Sequence, residues 1–342
     1  MAKSKIKHPS EPKNIAIAGA TGAVGQEFLK IFEQDNFPIK SLKLLASARS
    51  AGTTMKFNGE DIIIEELTEK SFEGVDIALF SAGSSITKKF SQATVDAGAV
   101  LIDNSSAYRM TDNVPLIIPE INPQEAKNHQ GIIANPNCST IIMLMAVFPI
   151  HQKFPVKKII VSTYQAASGA GWEAMEELKH ASQAILDNKE FIPKVFPFVG
   201  AFNLFNHNTN IDETGYNEEE IKMVKETHKI LRNDQILVSP TCVRVPVLRA
   251  HSESIHLEFV GDAPSEKEVT KLLQDFSGIK VVDDREKNYF PMPIDASEEY
   301  DCLVGRIRKD IGDPKKSMEL FVSGDQLLKG AALNAVQIAG LL

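Results

Sequence analysis

The sequence predicts an α/β protein in two parts: a doubly wound, Rossmann-type parallel sheet, then an α+β domain with a mostly antiparallel sheet. In the first part, an apolar strand-like run at 14–18 leads through a glycine-rich turn into a helical pattern. Strand-like runs at 75–80 and 100–103 then alternate with helical segments, which is typical of a parallel sheet. In the second part, strand-like runs at 236–239, 242–247 and 253–259 follow one another closely, which favours antiparallel pairing.

Length and composition indicate an ordinary globular protein with two domains. The chain has 342 residues, more than one hydrophobic core usually serves, and it is 43% hydrophobic and 24% charged. A formal net charge of −8 argues against a general nucleic-acid or membrane-surface role, although it leaves room for a local basic pocket. Three scattered cysteines are too few for a disulfide framework or a metal cluster.

The N-terminal segment and the apolar runs favour a cytoplasmic location. Residues 1–8 are polar and basic and no apolar core follows them, so we expect no secretory signal. The longest uninterrupted apolar run, 141–150, is too short to cross a bilayer. We therefore expect a cytoplasmic enzyme.

The turn at 19–25, Gly-Ala-Thr-Gly-Ala-Val-Gly, predicts a dinucleotide-binding site because it joins a strand to a helix. Gly19 would permit the tight turn, Gly22 would let the backbone approach a pyrophosphate, and Gly25 would allow the helix to pack closely on the strand. The helix N-terminus would supply N–H groups and its positive dipole end to the phosphates. The alternative is a glycine-rich turn that binds nothing.

The end of the next strand-like run, at 42–46, indicates NADP rather than NAD. An NAD site normally has an acidic residue here for the ribose 2′-hydroxyl, and none occurs between 47 and 52. Instead Arg49 stands between Ser47 and Ser50, and a guanidinium with neighbouring hydroxyls suits a 2′-phosphate. A solvated loop arginine is the alternative.

Cys138 is the candidate nucleophile. The Asn135-Pro136 pair cannot continue a strand or a helix, and the apolar run that follows predicts a buried helix with Cys138 in its first turn. A helix N-terminus favours the thiolate, which is the reactive form of cysteine. The alternative is an inert thiol in the core, which is common for free cysteine.

Two further polar residues lie near predicted strand ends, where sheets of this kind bind ligands. Arg109 follows the strand-like run at 100–103 and could bind an anion, although a surface arginine is the commoner outcome. Gln165 ends the run at 158–165, before a second glycine-rich turn at 166–171. Its amide could face whatever that turn binds, or bond nearby backbone.

His251 is the candidate proton-transfer residue, because it occurs in a short polar connection that we predict between two strands. Arg244 lies seven residues earlier and could line the same side of the sheet. Between residues 187 and 217 the pattern is irregular and rich in phenylalanine, which suggests burial or contact with another subunit. Helical patterns are predicted at 218–231 and 326–339.

Six motifs, in order along the chain, resemble those of the aspartate-semialdehyde dehydrogenase family. They are Gly-Ala-Thr-Gly-Ala-Val-Gly at 19–25, Ala-Ser-Ala-Arg-Ser-Ala-Gly at 46–52, Asn-Pro-Asn-Cys-Ser-Thr at 135–140, Ser-Thr-Tyr-Gln-Ala-Ala-Ser-Gly-Ala-Gly at 162–171, Cys-Val-Arg-Val-Pro-Val at 242–247 with Ala-His-Ser-Glu at 250–253, and Asp-Gln-Leu-Leu-Lys-Gly-Ala-Ala at 325–332. The similarity runs from about Lys13 to the end of the chain. Six motifs in register are far more specific than any one of them.

The resemblance implies roles for individual residues. Cys138 matches the family's nucleophile, His251 its acid/base group, and Gln165 the glutamine that orients the thio-intermediate. Arg244 and a glutamate of the run at 218–220, which we assign as Glu219, match the groups that hold the substrate's carboxylate and amine. Residues implied in phosphate binding are Arg109 and Lys222. Residues implied in NADP binding are Gly19, Thr21, Gly22, Ala23, Val24, Gly25, Ser47, Arg49, Ser50, Ser168, Gly169 and Gln326.

The resemblance also implies the reaction and the assembly. The family reduces L-aspartyl-4-phosphate to L-aspartate-4-semialdehyde with NADPH through a cysteine thioester, in the biosynthesis of lysine, threonine, methionine and diaminopimelate. It implies a homodimer that needs no metal, with an NADP-binding domain at 1–137, a catalytic and dimerisation domain at 138–324, and a C-terminal helix at 325–342 that packs back on the first domain. Two other functions stay open from the residues: an N-acetyl-glutamyl-phosphate reductase-like enzyme, and a non-catalytic NADP-binding protein.

Overall fold

The computed structural model describes residues 6–342, so the first five residues of the basic N-terminal segment lie outside the described residues. The described residues divide into two compact units, 6–137 together with 331–342, and 138–330. Each unit is built on one seven-stranded sheet. Among residues 6–342, no helix is long and apolar enough to cross a membrane.

The sheet of the first unit is parallel apart from one edge. Its strands are β1 (Lys13–Ala18), β2 (Ile39–Ala46), β3 (Thr54–Phe57), β4 (Glu60–Glu66), β5 (Ile77–Phe80), β6 (Val100–Asp103) and β7 (Ile132–Ala134). They lie in the order β3-β4-β2-β1-β5-β6-β7, and only β3 and β4 pair antiparallel. Helices α1 (Ala23–Gln34) and α2 (Ser84–Asp96) follow β1 and β5. The predicted doubly wound parallel sheet is confirmed.

The central strands of this sheet are apolar because helices cover both faces. All four residues of β5 are buried, as are the last four of β1. The chain order reverses between these two neighbouring strands, since β1 leads outward to β2 while the chain later returns to β5. A crevice for ligands is expected at their carboxyl ends, directly at the glycine-rich turn.

The sheet of the second unit is mostly antiparallel, as predicted. Its strands are β8 (Val156–Gln165), β9 (Phe205–Asn206), β10 (Leu237–Arg244), β11 (His251–Phe259), β12 (Ile279–Val281), β13 (Cys302–Lys309) and β14 (Ser317–Gly324). They lie in the order β12-β13-β14-β11-β8-β10-β9, with parallel pairing only between β8 and β10 and between β12 and β13 in this part of the described chain. The helices of this unit are α3 (Cys138–Lys153), α4 (Trp172–Leu186), α5 (Glu218–Leu231), α6 (Glu266–Asp275) and α7 (Pro293–Ala296).

Helix α3 is the buried helix that the run at 141–150 predicts. Residues 139–147 are all buried, so the helix has no solvated face. It packs on strands β8, β11, β13 and β14 of its own unit. Cys138, its first residue, is thereby held at a fixed place beside the sheet.

Two sequence-based predictions in this unit are wrong. The runs at 236–239 and 242–247 are one strand, β10, which continues through Pro240. A proline is tolerated there because the short β9 pairs only with the last two residues of β10, leaving that side open earlier. His251 does not lie in a connection; it is the first residue of β11 and is fully buried. The chain enters β11 through Ala250, whose φ is +70°.

The segment at 187–217 is irregular, as predicted, apart from the two residues of β9. It is anchored by the Glu177 carboxylate, which accepts hydrogen bonds from the N–H groups of three consecutive residues at 194–196. Phe196 and Phe205 are buried, but Phe198 and Phe202 are 57% and 67% exposed. The expected burial of the phenylalanines is therefore found for some of them and not for others.

The C-terminal helix begins later than the predicted 326. A wide, π-helical turn spans Leu328–Ala332, and α8 (Leu333–Ala339) follows. The Asp325 carboxylate accepts hydrogen bonds from the N–H groups of Leu327 and Leu328, so the chain turns there before the helix starts. Every residue of α8 is buried.

Candidate functional site

The glycine-rich turn of the first unit has no room for side chains at two positions. Gly19 has a φ of +87°, and a Cβ there would collide with the carbonyl oxygen of Ser81 at the end of β5. A Cβ on Gly25 would collide with the carbonyl oxygens of Gly19 and Ala20. These contacts bring the start of α1 close to the ends of β1 and β5.

The N-terminus of α1 is open and uncapped. No side chain caps it at Gly22, and no acidic residue occurs in its first turn. Thr21 and Gly22 are exposed, while Ala23 and Val24 are half-buried. The N–H groups of this turn therefore fit a pyrophosphate, which binds to unpaired N–H groups and a positive helix end.

The loop after β2 presents Arg49 to solvent. Ser47 begins a tight turn in which its carbonyl oxygen accepts the Ser50 N–H at 2.9 Å. The Arg49 side chain is exposed and has no ion-pair partner among residues 6–342. Its position beyond the carboxyl end of β2, with two serines beside it, fits a nucleotide 2′-phosphate.

Arg109 is buried, with 8% exposure, instead of being a surface arginine. Its Nε donates to the carbonyl oxygen of Asn135 at 2.9 Å, and its Nη2 donates to that of Asn104 at 2.9 Å. These residues directly follow β7 and β6, so the guanidinium is fixed at the carboxyl edge of the first sheet.

In the second unit, Cys138 is half-buried, forms no disulfide and lies at the first position of α3. Gly330 packs against it, and a Cβ on Gly330 would lie 2.8 Å from the Cys138 Cβ. The remaining cysteines differ from it, because Cys242 and Cys302 are both buried. Burial raises the pKa of Cys242 strongly, which leaves it as an inert thiol.

Gln165, Arg244 and His251 form a row across three neighbouring strands. Arg244 pairs with Gln165 in the β8–β10 register, and Ser252 pairs with Tyr164 in the β8–β11 register, so His251 comes beside Gln165. The backbone of Ala166 bridges two members of this row. Its N–H donates to His251 Nδ1 at 3.0 Å, and its carbonyl oxygen accepts from Arg244 Nη1 at 2.7 Å.

The hydrogen bond at Nδ1 fixes the protonation of His251. A ring nitrogen that accepts an N–H carries no proton, so the neutral imidazole has its proton on Nε2. Burial, with the positive charge of Arg244, lowers the pKa of His251 to about 3, and the ring is neutral at physiological pH. The buried Nε2 has no hydrogen-bond partner among the described residues, so its N–H is available to a ligand.

Arg244 is the cation of this row. Burial lowers its pKa, whereas the charges of Glu219 and the Cys138 thiol raise it, so the guanidinium interacts electrostatically with both. A neighbouring guanidinium stabilises a thiolate. Cys138 is thus favoured as a nucleophile by the helix N-terminus and by Arg244.

Glu219, in the first turn of α5, is joined to the same row. Its Oε1 accepts from Gln165 Nε2 at 3.1 Å, and its Oε2 forms an ion pair with Lys222 Nζ at 3.2 Å. The two neighbouring glutamates do not contact the row. Glu218 is exposed, and the Glu220 carboxylate accepts hydrogen bonds from the N–H groups of Asn217 and Cys242. Of the three, Glu219 is the carboxylate that faces the row.

Three further residues of the predicted set lie beside the row. Gln326 donates to the Ser168 hydroxyl and accepts the Ala250 N–H at 2.9 Å. Gly169 covers His251 and Arg244, because a Cβ there would lie 3.0 Å from His251 Cε1 and 3.1 Å from Arg244 Nη1. A side chain at 169 would crowd both.

The predicted site residues therefore fall into two sets. The first unit holds Gly19, Thr21, Gly22, Ala23, Val24, Gly25, Ser47, Arg49, Ser50 and Arg109; the second unit holds Cys138, Gln165, Ser168, Gly169, Glu219, Lys222, Arg244, His251 and Gln326. Within residues 6–342, no group of three or more His, Cys, Asp or Glu side chains is placed to hold a metal ion.

Sequence reasoning missed three residues of the cluster. Thr163 donates to Gln165 Oε1 at 3.2 Å. Glu253, which is fully buried, pairs with Thr163 across strands β11 and β8. Two-residue periodicity from Gln165 and His251 would have found both. His207, whose Nε2 lies 3.1 Å from Arg244 Nη2, comes from the irregular segment, where no periodicity signals it.

The chain matches two protein-family models. Residues 14–129 match the semialdehyde dehydrogenase NAD-binding domain, and residues 147–329 match the semialdehyde dehydrogenase dimerisation domain. A dimerisation domain is therefore present.

Relatives and solved structures cover nearly the whole chain. It is 54% identical to aspartate-semialdehyde dehydrogenase of Synechocystis sp. over 331 residues, 97% of each chain, and 46% identical to that of Bacillus subtilis, covering 95% and 96%. The structure of aspartate semialdehyde dehydrogenase II from Vibrio cholerae, complexed with ASA, has a TM-score of 0.93 at 41% identity, covering 97% and 98%. That of the Candida albicans enzyme with NADP has a TM-score of 0.74 at 25% identity, also covering 97% and 98%.

Proposed function

This chain belongs to the aspartate-semialdehyde dehydrogenase family of oxidoreductases, and from that premise we propose how its residues reduce L-aspartyl-4-phosphate to L-aspartate-4-semialdehyde. One observation carries the proposal. A half-buried thiol at a helix N-terminus interacts with a guanidinium, and the backbone of Ala166 joins that guanidinium to a neutral histidine whose Nε2–H is available. This arrangement supports covalent capture of an acyl group on Cys138.

In the first step, the Cys138 thiolate attacks the acyl carbon and phosphate leaves, which forms a thioester. Covalent capture divides one difficult displacement into two easier steps. The N–H groups at the start of α3 can stabilise the oxyanion, an effect commonly worth about 3 kcal/mol per donor. Gln165, held by Thr163 and Glu219, orients the acyl group.

His251 acts as a hydrogen-bond donor in the second step. Its Nε2–H can donate to the substrate oxygen that becomes negative when the thioester is reduced. Release of the aldehyde then restores the Cys138 thiolate. In the reverse direction, the same Nε2–H can donate to the oxyanion that forms when the Cys138 thiolate attacks the aldehyde.

The substrate's charges find complementary groups on the chain. We assign its carboxylate to Arg244 and its amine to Glu219, because these buried side chains belong to one hydrogen-bonded row. We assign the phosphate to Arg109 and Lys222, as the family resemblance implies. Local focusing of positive charge explains how a chain with a net charge of −8 binds a doubly anionic substrate.

We propose NADP as the cofactor, within a family whose first domain binds a nicotinamide dinucleotide. The open N-terminus of α1 fits the pyrophosphate, and Arg49 with Ser47 and Ser50 fits the 2′-phosphate. The bound nucleotide supplies the hydride. Ser168, Gly169 and Gln326 are assigned to its other contacts.

Replacing Arg49 with alanine tests this choice. We expect the KM for NADP⁺ to rise by about 10-fold or more, since a charge-assisted contact to a phosphate is lost, while use of NAD⁺ is unchanged. Steady-state kinetics with the two nucleotides measures the effect. Lys70, on the same unit and outside the glycine turn, provides the control in Lys70→Ala. An equal loss with both nucleotides would contradict a 2′-phosphate contact.

One assay tests the reaction. Aspartate semialdehyde should reduce NADP⁺ only when phosphate is present, and N-acetyl-glutamate semialdehyde should be a poor substitute. A free amine on the substrate needs the Glu219 carboxylate, so Glu219→Gln should weaken use of aspartate semialdehyde. Equal use of both aldehydes, with no effect of Glu219→Gln, would favour the N-acetyl-glutamyl-phosphate reductase-like alternative.

We propose further that the protein is a homodimer that works in the cytoplasm. The dimerisation-domain match supports the first point, and sedimentation of the purified protein tests it. Three free cysteines are compatible with a reducing compartment. We assign nucleotide binding to residues 1–137 with the C-terminal 325–342, and catalysis and dimerisation to 138–324.

A further inference from the structure

His207 contacts Arg244 from the irregular segment at 187–217. It directly follows β9, which pairs with the end of β10, and its N–H donates to the Cys242 carbonyl oxygen at 2.8 Å. Its Nε2 lies 3.1 Å from Arg244 Nη2. Phe196, from the same segment, has its ring centroid 5.5 Å from the centre of the guanidinium. The segment therefore holds Arg244 from two directions.

The partners of His207 determine which nitrogen carries its proton. Arginine can only donate, so His207 Nε2 accepts and the proton of the neutral ring is on Nδ1. The pKa of His207 is lowered to about 4, mainly by burial and further by the charges of Arg244 and Lys222, while the charge of Glu219 raises it. The ring is therefore neutral at physiological pH. Nδ1 lies 3.4 Å from Thr209 Oγ1, which also accepts the N–H of Glu219 at 3.3 Å.

These contacts form a chain from Arg244 through His207 and Thr209 to Glu219. Among residues 6–342, the guanidinium makes one other hydrogen bond, from Nη1 to the Ala166 carbonyl oxygen. A single hydrogen bond leaves a planar group free to tilt about it. Two bonds at different nitrogens fix the plane.

We propose that His207 is a positioning residue that fixes the plane of Arg244 and, through Thr209, its distance from Glu219. This inference rests on the proposed roles of Arg244 and Glu219 in binding the substrate's carboxylate and amine. An amino-acid substrate must reach both groups at once, so their spacing selects it. An aldehyde with the carboxylate and no amine needs only Arg244.

The experiment compares His207→Leu with His207→Gln in the full-length enzyme. We expect His207→Leu to raise the KM for aspartate semialdehyde about 10-fold, since one charge-assisted hydrogen bond is lost, with kcat within about 3-fold. The Gln amide oxygen can accept from Arg244 as Nε2 does, so His207→Gln should stay within about 3-fold of wild type. The KM for NADP⁺ should not change. His180→Leu, an exposed site on α4, is the control.

A second readout concerns specificity. The preference for aspartate semialdehyde over 4-oxobutanoate, which lacks the amine, should fall about 10-fold in His207→Leu and be retained in His207→Gln. A purely structural role would lower kcat for both aldehydes alike. That result, or an unchanged KM in His207→Leu, would overturn the inference.

The Arg244→Gln variant distinguishes a failure of the inference about His207 from a failure of the proposed carboxylate contact of Arg244. If Arg244→Gln leaves the KM for aspartate semialdehyde unchanged, the proposed carboxylate contact fails, and the role of His207 fails with it. If Arg244→Gln raises that KM and His207→Leu does not, only the role of His207 fails. If both are correct, the double variant should be no worse than Arg244→Gln alone, because His207 acts through the arginine.

Discussion

A Cys138→Ser variant should lose turnover by at least about 10³-fold while keeping its fold and its affinity for NADPH. The reason lies in the tautomer of His251 as well as in the thiol. A serine hydroxyl needs a base to remove its proton, but Nδ1 of His251 already accepts the Ala166 N–H and Nε2 carries the proton. No lone pair of this ring is available to activate serine, whereas a thiolate at a helix N-terminus needs no base.

The measurement combines steady-state kinetics with a fluorescence titration of NADPH and circular dichroism of the variant. Cys302→Ala is the matched control, because Cys302 is fully buried and forms no disulfide, and we expect it to stay within about 3-fold of wild type. Substantial turnover by Cys138→Ser would mean that another group is the nucleophile. Loss of NADPH binding together with turnover would indicate misfolding of the variant.

A Glu253→Gln variant should become more stable than wild type as pH rises. Glu253 is fully buried and neither carboxylate oxygen has a hydrogen-bond partner among the described residues, so burial raises its pKa well above the ordinary value. At pH values above the ordinary pKa of glutamate, the unfolded chain releases a proton that the folded chain retains. Each pH unit in this range raises the equilibrium constant for unfolding by up to about 10-fold, until the pKa of Glu253 in the folded protein is reached.

Glutamine has the same shape and cannot ionise, so it removes this penalty. Urea denaturation at pH 5, 7 and 8.5 should give similar stabilities at pH 5 and a growing advantage for Glu253→Gln above it. Glu220→Gln is the control with the opposite sign, because both oxygens of Glu220 accept backbone N–H groups and one acceptor would be lost. Parallel pH curves for Glu253→Gln and wild type would show that Glu253 is ionised in the folded protein.

Local signals in the sequence were enough for most of the fold. Helix α5 is predicted at 218–231 and found at Glu218–Leu231, because Asn217 and Glu220 form a capping box at its start. The glycine-rich turn predicts the position of α1 for a similar reason, since Gly25 leaves no room for a side chain. Such features depend on neighbours in the chain, which the sequence displays directly.

Features that depend on distant pairing were not predictable in this way. The polar residues before His251 predict a loop there, yet pairing of β11 with β8 and β14 extends the strand to include it. Pro240 predicts a break in β10, but a proline is tolerated there because no described strand pairs with that side of β10 at residue 240. His207 reaches Arg244 because β9, within an aperiodic segment, pairs with the end of the distant strand β10.

Residue 166 contacts both groups through two successive peptide planes. Its N–H, in the peptide that follows Gln165, donates to the imidazole of His251, and its carbonyl oxygen, in the next peptide, accepts from the guanidinium of Arg244. The two planes meet at the Cα of a fully buried alanine. Displacement of the main chain here would therefore shift both the proton-bearing ring and the anion-binding group, so we expect an altered preference for substrate length to require a new backbone path at residue 166.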